Sequence, residues 1–392
     1  MDRPLLNRRL AEFGTTIFAE MSALAVRTGA INLGQGFPDT DGPEEVREAA
    51  VRALRDGRGN QYPPGPGIPE LRTAVAAHQE RFYGHLGLSC DPDTEVLVTA
   101  GATEAIAASL LALLEPGDEV IALEPYYDSY AACIAMAGGT RVPVTLRPDP
   151  ESGSYTLDLD ELRDAVTDRT RLILLNTPHN PTGTVLTRDA LAEVARLACE
   201  RELLVITDEV YEHLVFEGEH LPLASFPGMR ERTVTIGSAG KTFSFTGWKV
   251  GWVTATPELV GAVRSAKQFL TYVSAGPFQY AVAEALALPD SYYTGLRDDL
   301  RAKRDILATG LTDAGFQVFR PSGTYFITTD IRPLGFDDGF AFCRTLPERA
   351  GVVAIPNAVF YDHQDQGAPF VRFAFCKQEK TLQEAVTRLQ RL

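Results

Sequence analysis

From residue 94 onward the chain alternates short apolar runs with helix-forming stretches, and this alternation restricts the fold more than any other feature. Runs such as LILLN (Leu172–Asn176) and LLVIT (Leu203–Thr207) lack the polar–apolar alternation of a half-exposed strand. A strand with no polar face belongs in a parallel sheet covered by helices on both sides. The spacing predicts strands over Thr94–Thr99, Glu119–Leu123, Arg141–Leu146, Arg171–Leu175, Leu203–Thr207, Thr233–Ile236 and Val250–Ala255. Helical composition separates them over Thr103–Leu114, Ser129–Ala137, Leu159–Val166 and Arg188–Arg201, with stops at Pro116-Gly117 and Gly138-Gly139. The expected fold class is α/β, a three-layer α/β/α large domain with a mostly parallel sheet.

After Pro257 the texture changes. Helices over Glu258–Leu270 and Arg297–Thr312 precede short strands at Gln317–Phe319, Thr324–Thr329 and Val371–Cys376, and an amphipathic helix (Thr381–Leu392) closes the chain. Mixed elements after a helical connector predict a smaller α+β domain. The first 40 or so residues show no strand signal and are expected to pack against one domain or the other. The expected division is a large domain over 40–280 and a small one built from 1–39 and 281–392.

Charge narrows the function. Lys and Arg number 37 against 52 Asp and Glu, a net charge of −15, so the surface repels a phosphate backbone and nucleic acid is a poor partner. The acid is dispersed among Leu, Val and Ile, which argues against disorder. Five scattered cysteines (Cys90, Cys133, Cys199, Cys343, Cys376) without a C-x-x-C predict neither a disulfide scaffold nor a zinc knuckle, and a reducing compartment instead. The N-terminus is too charged for a signal peptide, and the longest apolar stretch, around Ala105–Leu114, is too short to span a bilayer. The expectation is a cytoplasmic protein with no membrane partner.

Several motifs fail on inspection. Gly240-Lys241-Thr242 resembles the end of a P-loop, but Thr235 stands where its first glycine is required. Ser238-Ala-Gly-Lys241 matches S-x-x-K, yet neither S-D-N nor K-T-G occurs. Gly34-Gln-Gly36 and Gly65-Pro-Gly67 lack a third glycine in register, so no dinucleotide fingerprint is supported. The histidines show no H-E-x-x-H spacing; His179 and His213 read as loop or satisfied core residues, and no metal site is expected.

What does hold is a set of polar groups at the ends of apolar strands, where open α/β sheets bind ligands. Leu203–Thr207 runs into Asp208-Glu209-Val210-Tyr211, and a carboxylate directly after a buried strand is costly unless paired. Taken alone, a helix cap or salt bridge explains it. Arg171–Leu175 runs into Asn176-Thr-Pro-His-Asn180-Pro181-Thr-Gly183, a rigid turn with a neutral amide, for which a plain turn is again the simpler explanation. Thr233–Ile236 leads to Ser238-Ala-Gly-Lys241, followed by Lys249. A lysine flanked by small residues at a strand end can be desolvated into a Schiff-base nucleophile. Val96–Thr99 leads into Gly101-Ala102-Thr103, where the backbone N–H groups of an opening helix suit a phosphate, or make an ordinary N-cap. Jointly these groups ask for one ligand carrying a phosphate, a basic ring nitrogen, a ring oxygen and an aldehyde: pyridoxal phosphate.

The segments SAGKTFSFTGWKVGW, NTPHNPTG, ITDEVYEHLVF, LGQGFPD and NQYPPGPG resemble the pyridoxal-phosphate-dependent class I/II aminotransferases of fold type I. The similarity is greatest to the group of kynurenine, methionine and N-succinyldiaminopimelate aminotransferases, and it runs from Phe18 to Arg372. The resemblance implies a homodimer with active sites at the subunit interface. It implies that Lys241 forms the Schiff base and then acts as general acid and base, and that Asp208 pairs with the pyridine nitrogen. Asn180 and Tyr211 would bond the ring oxygen, and Tyr127, rather than Tyr126, would stack on the ring. Gly101, Ala102, Thr103, Ser238 and Lys249 would hold the phosphate, with Tyr62 reaching it from the other subunit. Arg372 would clamp the substrate carboxylate beside Gly36 and Asn180, and Phe18 would form a pocket wall. Arg372 is singled out by the resemblance alone.

Three departures stand out: His179 where many relatives have Asn, Lys249 where much of the superfamily has Arg, and small residues at Ser274 and Ala275 in place of aromatic bulk. The last suggests a roomier pocket. The implied reaction is ping-pong transfer of an amino group between an L-amino acid and a 2-oxo acid. The same carbanion chemistry would also serve a C–S β-lyase or other specialised chemistry on an amino acid. A non-catalytic regulator of the same fold would need a DNA-binding module, for which the N-terminus has no room.

Overall fold

The computed structural model describes residues 5–14, 16–151 and 153–392. In chain order the strands are β1 (Ile31–Asn32), β2 (Val96–Thr99), β3 (Glu119–Glu124), β4 (Thr140–Asp149), β5 (Ser154–Leu157), β6 (Thr170–Asn176) and β7 (Leu204–Asp208). They continue with β8 (Thr233–Ser238), β9 (Gly251–Thr254), β10 (Gln317–Phe319), β11 (Phe326–Asp330), β12 (Val352–Val353), β13 (Ile355–Pro356) and β14 (Phe370–Ala374). Eight of them form one sheet in the order β2-β9-β8-β7-β6-β3-β4-β5. Pairing is parallel between β3 and β4, β3 and β6, β6 and β7, and β7 and β8; β9 is antiparallel to both its neighbours and β5 to β4.

The missing alternation has a direct cause in this sheet. Leu172, Leu174, Ile206, Val234 and Ile236 pack into a cluster on one face, while Ile173, Leu175 and Val205 pack into another on the opposite face. Neither face meets water, so period-2 patterning disappears. The helix Gly101–Leu113 lies over the first face and Arg188–Glu200 over the second.

A four-stranded antiparallel sheet, β10-β11-β14-β13, forms a second core with helices Ile17–Thr28, Asp290–Asp313, Gly339–Ala350 and Glu379–Leu389. The N-terminal segment is more regular than its sequence suggests: β1 pairs in parallel with β12 as Ile31↔Val352 and Asn32↔Val353. Two residues are too few to leave a hydrophobic period. The helix Gly276–Leu286 runs across the expected boundary at 280 and packs with Val46, Leu71 and Val96, so that boundary falls inside an unbroken helix. Among the described residues no helix is long and apolar enough to cross a membrane.

Candidate active site

Register brings the strand ends level. Asn176 pairs with Asp208 across β6 and β7, and Ser238 closes β8 opposite Gly251 of β9. Since β9 runs against the others, its first residues lie at the edge where the parallel strands finish, and Lys249 arrives there just ahead of it. Gly251 is required by close approach: a Cβ there would lie 2.7 Å from the Gly101 carbonyl carbon. The absence of a side chain lets β9 pass directly beneath the start of the helix Gly101–Leu113.

These ends open onto a cavity of about 270 Å³ lined by Phe18, Gly36, Gly101, Ala102, Thr103, Tyr127, Asn180, Asp208, Tyr211, Ser238, Lys241, Lys249 and Arg372. Every expected site residue is there except Tyr62. Tyr62 is 82 % exposed and stands edge-on to Tyr272 at 5.6 Å. It lines a separate open cavity with Ser274 and Ala275. The small residues at 274 and 275 therefore do not widen the pocket of their own chain.

Lys241 sits in a four-residue helical turn, Ala239–Thr242, directly after β8. Its ammonium lies 5.7 Å from the ring centres of both Tyr211 and Tyr325. Burial lowers its pKa; Cys376 and Asp208 push upward, and Arg372 and Lys249 downward. The neutral amine, the nucleophilic form, is thereby favoured. The Asp208 carboxyl is pushed up to about 6 by burial, and the Tyr130 hydroxyl, donating to Oδ2 at 2.6 Å, holds it down. Asn176 ties this end together: its Nδ2 donates to the Asp208 carbonyl at 2.7 Å and its Oδ1 accepts from the Asn180 N–H at 2.7 Å.

Arg372 reaches the cavity from β14, where it pairs with Thr328 of β11. Its Nη1 donates to Asn180 Oδ1 at 2.9 Å and its Nη2 to the Gly34 carbonyl at 3.0 Å. Phe326, Phe360 and Phe18 surround the guanidinium at 4.1, 4.9 and 5.4 Å. Burial brings its pKa down to about 10, still far above neutrality, so the charge persists. Its Nε is buried without a hydrogen-bond partner among the described protein groups.

Two observations test the fit of an anionic cofactor. No side chain caps the helix Gly101–Leu113; its N-cap is Ala100, and Glu104 instead reaches back to the Ala100 N–H at 2.6 Å. The first residues of that helix thus present orphan donors and a positive dipole end to the cavity. The second is Lys249, whose Nζ lies 3.3 Å from the position a Gly101 Cβ would take. A phosphate fits this cradle.

The burial of Asp208 has a measurable consequence. A carboxyl whose folded pKa (about 6) lies above its ordinary value of 3.8 opposes folding wherever it is ionised. The penalty is absent below about pH 4, grows as pH rises toward 6, and is fully present above it, worth up to about 3 kcal/mol. Asp208→Asn is expected to stabilise the cofactor-free chain to urea at about pH 7.5 and hardly at all near pH 4. An equal effect at both pH values would show that the carboxyl is not the source.

Reading the sequence missed Asn176, Tyr130, Tyr325 and Phe326 as site residues. Tyr130 had a signal, because it follows Tyr127 by one helical turn and the two rings meet edge-on at 6.0 Å. Tyr325 donates to the Gly36 carbonyl at 2.6 Å from far along the chain and had none. His179 is an interior residue, Nδ1 at 2.8 Å from Thr182 Oγ1, with its pKa pushed down to about 4 by burial. Behind the site His78, Glu212 and His213 bring potential metal ligands within 4.8 Å of one another. Hydrogen bonds already engage them: His78 and His213 meet at 2.8 Å, and Glu212 accepts from Tyr83 at 2.7 Å.

Fold and site together define an α/β protein whose strand ends bring a lysine, a carboxylate and an arginine to one cavity. Residues 28–389 match the model of the family "Aminotransferase class I and II". The chain is 55% identical over 390 residues to a probable N-succinyldiaminopimelate aminotransferase of Mycobacterium tuberculosis, with 97% of each chain covered. It is 40% identical to the methionine aminotransferase of Escherichia coli, covering 100% of both. The solved structure of N-succinyldiaminopimelate aminotransferase from M. tuberculosis superposes with a TM-score of 0.95 at 56% identity, over 98% of this chain and 99% of that one. The chain belongs to the class I and II aminotransferases, and it is an enzyme that transfers an amino group between an amino acid and a 2-oxo acid.

Proposed function

We propose that this chain binds pyridoxal phosphate in the cavity between its two sheets and works as a homodimer in the cytoplasm. The observation that carries the reading is convergence in one cavity of a desolvated lysine, an uncapped helix start and an arginine with an orphan buried donor. Scattered free cysteines support a reducing compartment. The exposed apolar group Tyr62, Phe269, Leu270 and Tyr272 supports association with a second copy, with Tyr62 reaching the partner's phosphate. The division of the chain follows the two sheets, with the second junction placed after the helix Gly276–Leu286 rather than at 280.

When bound, pyridoxal phosphate supplies an electron sink for the pair left by the breaking Cα–H bond. Lys241 Nζ is the attacking amine and then carries the proton to and from Cα, a role its lowered pKa serves. Asp208, whose Oδ2 accepts from Tyr130 and whose Oδ1 accepts from the Val210 N–H at 3.4 Å, would pair with the pyridine nitrogen. Asn180 and Tyr211 would bond the ring oxygen, and Tyr127 would stack on the ring. Gly101, Ala102, Thr103, Ser238 and Lys249 would hold the phosphate. Arg372, oriented by Asn180 and Gly34, receives the substrate carboxylate beside Gly36, with Phe18 as wall. The names of the relatives offer two donor types, N-succinyldiaminopimelate and methionine.

The test is to follow the visible absorption of the reconstituted enzyme through both halves of the reaction. An amino acid alone should bleach it, and a 2-oxo acid should restore it with release of a new amino acid. Pyruvate and ammonia released from a cysteine conjugate without any acceptor would indicate β-elimination instead. Tyr130→Phe removes one hydrogen bond from Asp208 and is expected to lower kcat about 5- to 10-fold with KM unchanged. A rise in KM with kcat unchanged would place Tyr130 against the substrate.

A further inference from the structure

Arg372 stands on the second sheet while Asp208, Ser238 and Lys241 belong to the strand ends of the first, so the site depends on how the two sheets are held together. A set of polar groups outside the cavity does this. Glu124, the last residue of β3, is completely buried. Its Oε1 lies 2.9 Å from Thr145 Oγ1 and 2.5 Å from His363 Nδ1, and its Oε2 accepts from the N–H groups of Asp362 at 2.8 Å and His363 at 3.3 Å. Thr145 lies on β4 of the same sheet; the other three contacts come from the segment that follows β13 in the second sheet. A carboxylate taken wholly out of water persists only where donors replace its hydration, and this segment supplies most of them.

Two further contacts close the seam. The Tyr126 N–H donates to the Phe360 carbonyl at 2.8 Å. Arg141 of β4 forks Asp362, Nε to Oδ2 at 3.1 Å and Nη2 to Oδ1 at 2.9 Å, and Glu12 stands behind it at 3.2 Å. Tyr126, Tyr361 and Asp365 are the other titratable groups whose charge is felt here. From the seam the path to Arg372 is short. In β13, Ile355 pairs directly with Arg372. The strand passes into the helical turn Asn357–Phe360, whose last ring lies 4.9 Å from the guanidinium. On the other side β3 is locked between β4 and β6. When a bond in the seam is lost, the segment from Phe360 to His363 is therefore the part that yields.

We propose that Glu124 is a positioning residue: through Asp362 and His363 it fixes β13 and Arg372 at the separation from the first sheet that a substrate carboxylate requires. The proposal rests on the reading of Arg372 as the carboxylate receptor and deepens it. An ionised carboxylate only accepts, so His363 serves it by donating from Nδ1, as the neutral tautomer or as the cation. That hydrogen bond raises the His363 pKa. The native seam is therefore unchanged when His363 titrates. In Glu124→Gln the amide oxygen still receives the two N–H groups, but its NH₂ faces His363, whose Nδ1 must now accept. Only the neutral imidazole can do so.

The experiment compares the holoenzyme with Glu124→Gln at about pH 6 and about pH 8.5. It reads kcat, KM for an amino acid donor, and by calorimetry the Kd of 3-phenylpropanoate, a carboxylate without an amino group to transfer. Relative to the unaltered enzyme at the same pH, KM and Kd are expected to rise about tenfold at the lower pH and no more than about twofold at the higher. Changes in kcat should stay within about threefold, and affinity for pyridoxal phosphate should not change. Adding His363→Ala should abolish the pH dependence. His363→Ala alone, where the side chain is 53 % exposed and the fold does not depend on it, should raise KM about threefold at both pH values. A KM rise in Glu124→Gln that is equal at both pH values, a loss of kcat or cofactor affinity as large as the rise in KM, or an unchanged KM in His363→Ala would overturn the proposal. An unaltered chain that never acquires the visible absorption would instead overturn the cofactor reading, while the calorimetry, which needs only Arg372, would still test the positioning role.

Discussion

Lys241→Ala is expected to lower turnover by at least about 10⁴-fold and to remove the visible absorption of the lysine-linked cofactor. Two separate functions disappear with one side chain. The cofactor loses its covalent anchor, and the proton at Cα loses the amine that carries it. Geometry offers no substitute. Lys249, the other lysine on the cavity, is exposed and placed beside Gly101 at the phosphate end. Cys376 lies near enough to Lys241 to influence its charge, yet burial pushes that thiol up to about 11, so no thiolate is available near neutral pH. Lys249→Ala is the informative control, since it should weaken cofactor retention while leaving the absorption of the loaded fraction in place. If Lys241→Ala retained both turnover and the visible band, the assignment of the nucleophile would be wrong.

Arg372→Ala should reduce kcat/KM for amino acid donors about 10²- to 10³-fold, mostly through KM, while affinity for pyridoxal phosphate changes no more than a few-fold. The guanidinium is 1 % exposed, gripped by Asn180 and Gly34, and enclosed by Phe18, Phe326 and Phe360. It is therefore held rigidly before any carboxylate arrives, and little ordering remains to be done on binding. Arg372→Lys separates charge from shape. A lysine keeps the charge but cannot present the same fork, so most of the loss should persist. Comparable losses in substrate and cofactor affinity would mean that the arginine serves the cofactor instead.

The legible parts of this enzyme were those written in short stretches. Asp208, Lys241 and the Gly101–Thr103 turn each follow directly on an apolar strand, and an ionisable or small residue at such a point stands out without any tertiary information. Expected strand and helix limits along the large sheet lie close to the observed ones, because strands buried on both faces leave unbroken apolar runs. The less legible parts were made at a distance. Tyr130 finds Asp208 across 78 positions, and Arg372 finds Asn180 across 192. Ser274 and Ala275 show the same limit: the fold sets them beside Tyr62, outside the pocket of their own chain, so any effect of their small side chains would fall on the pocket of a second copy.

By itself the sequence determined the alternation of elements, the two-sided burial of the sheet, and which ionisable and small residues stand at the strand ends. Those properties are local, since each depends on a residue and its immediate neighbours along the chain. Only the tertiary structure decided that β9 inserts antiparallel between β2 and β8, which brings Lys249 and Gly251 to the same edge as Asp208 and Ser238. It alone decided that β14 offers Arg372 from a second sheet. Strand order and the packing of one sheet against another are settled by burial summed over whole faces, a quantity that no single stretch of residues contains.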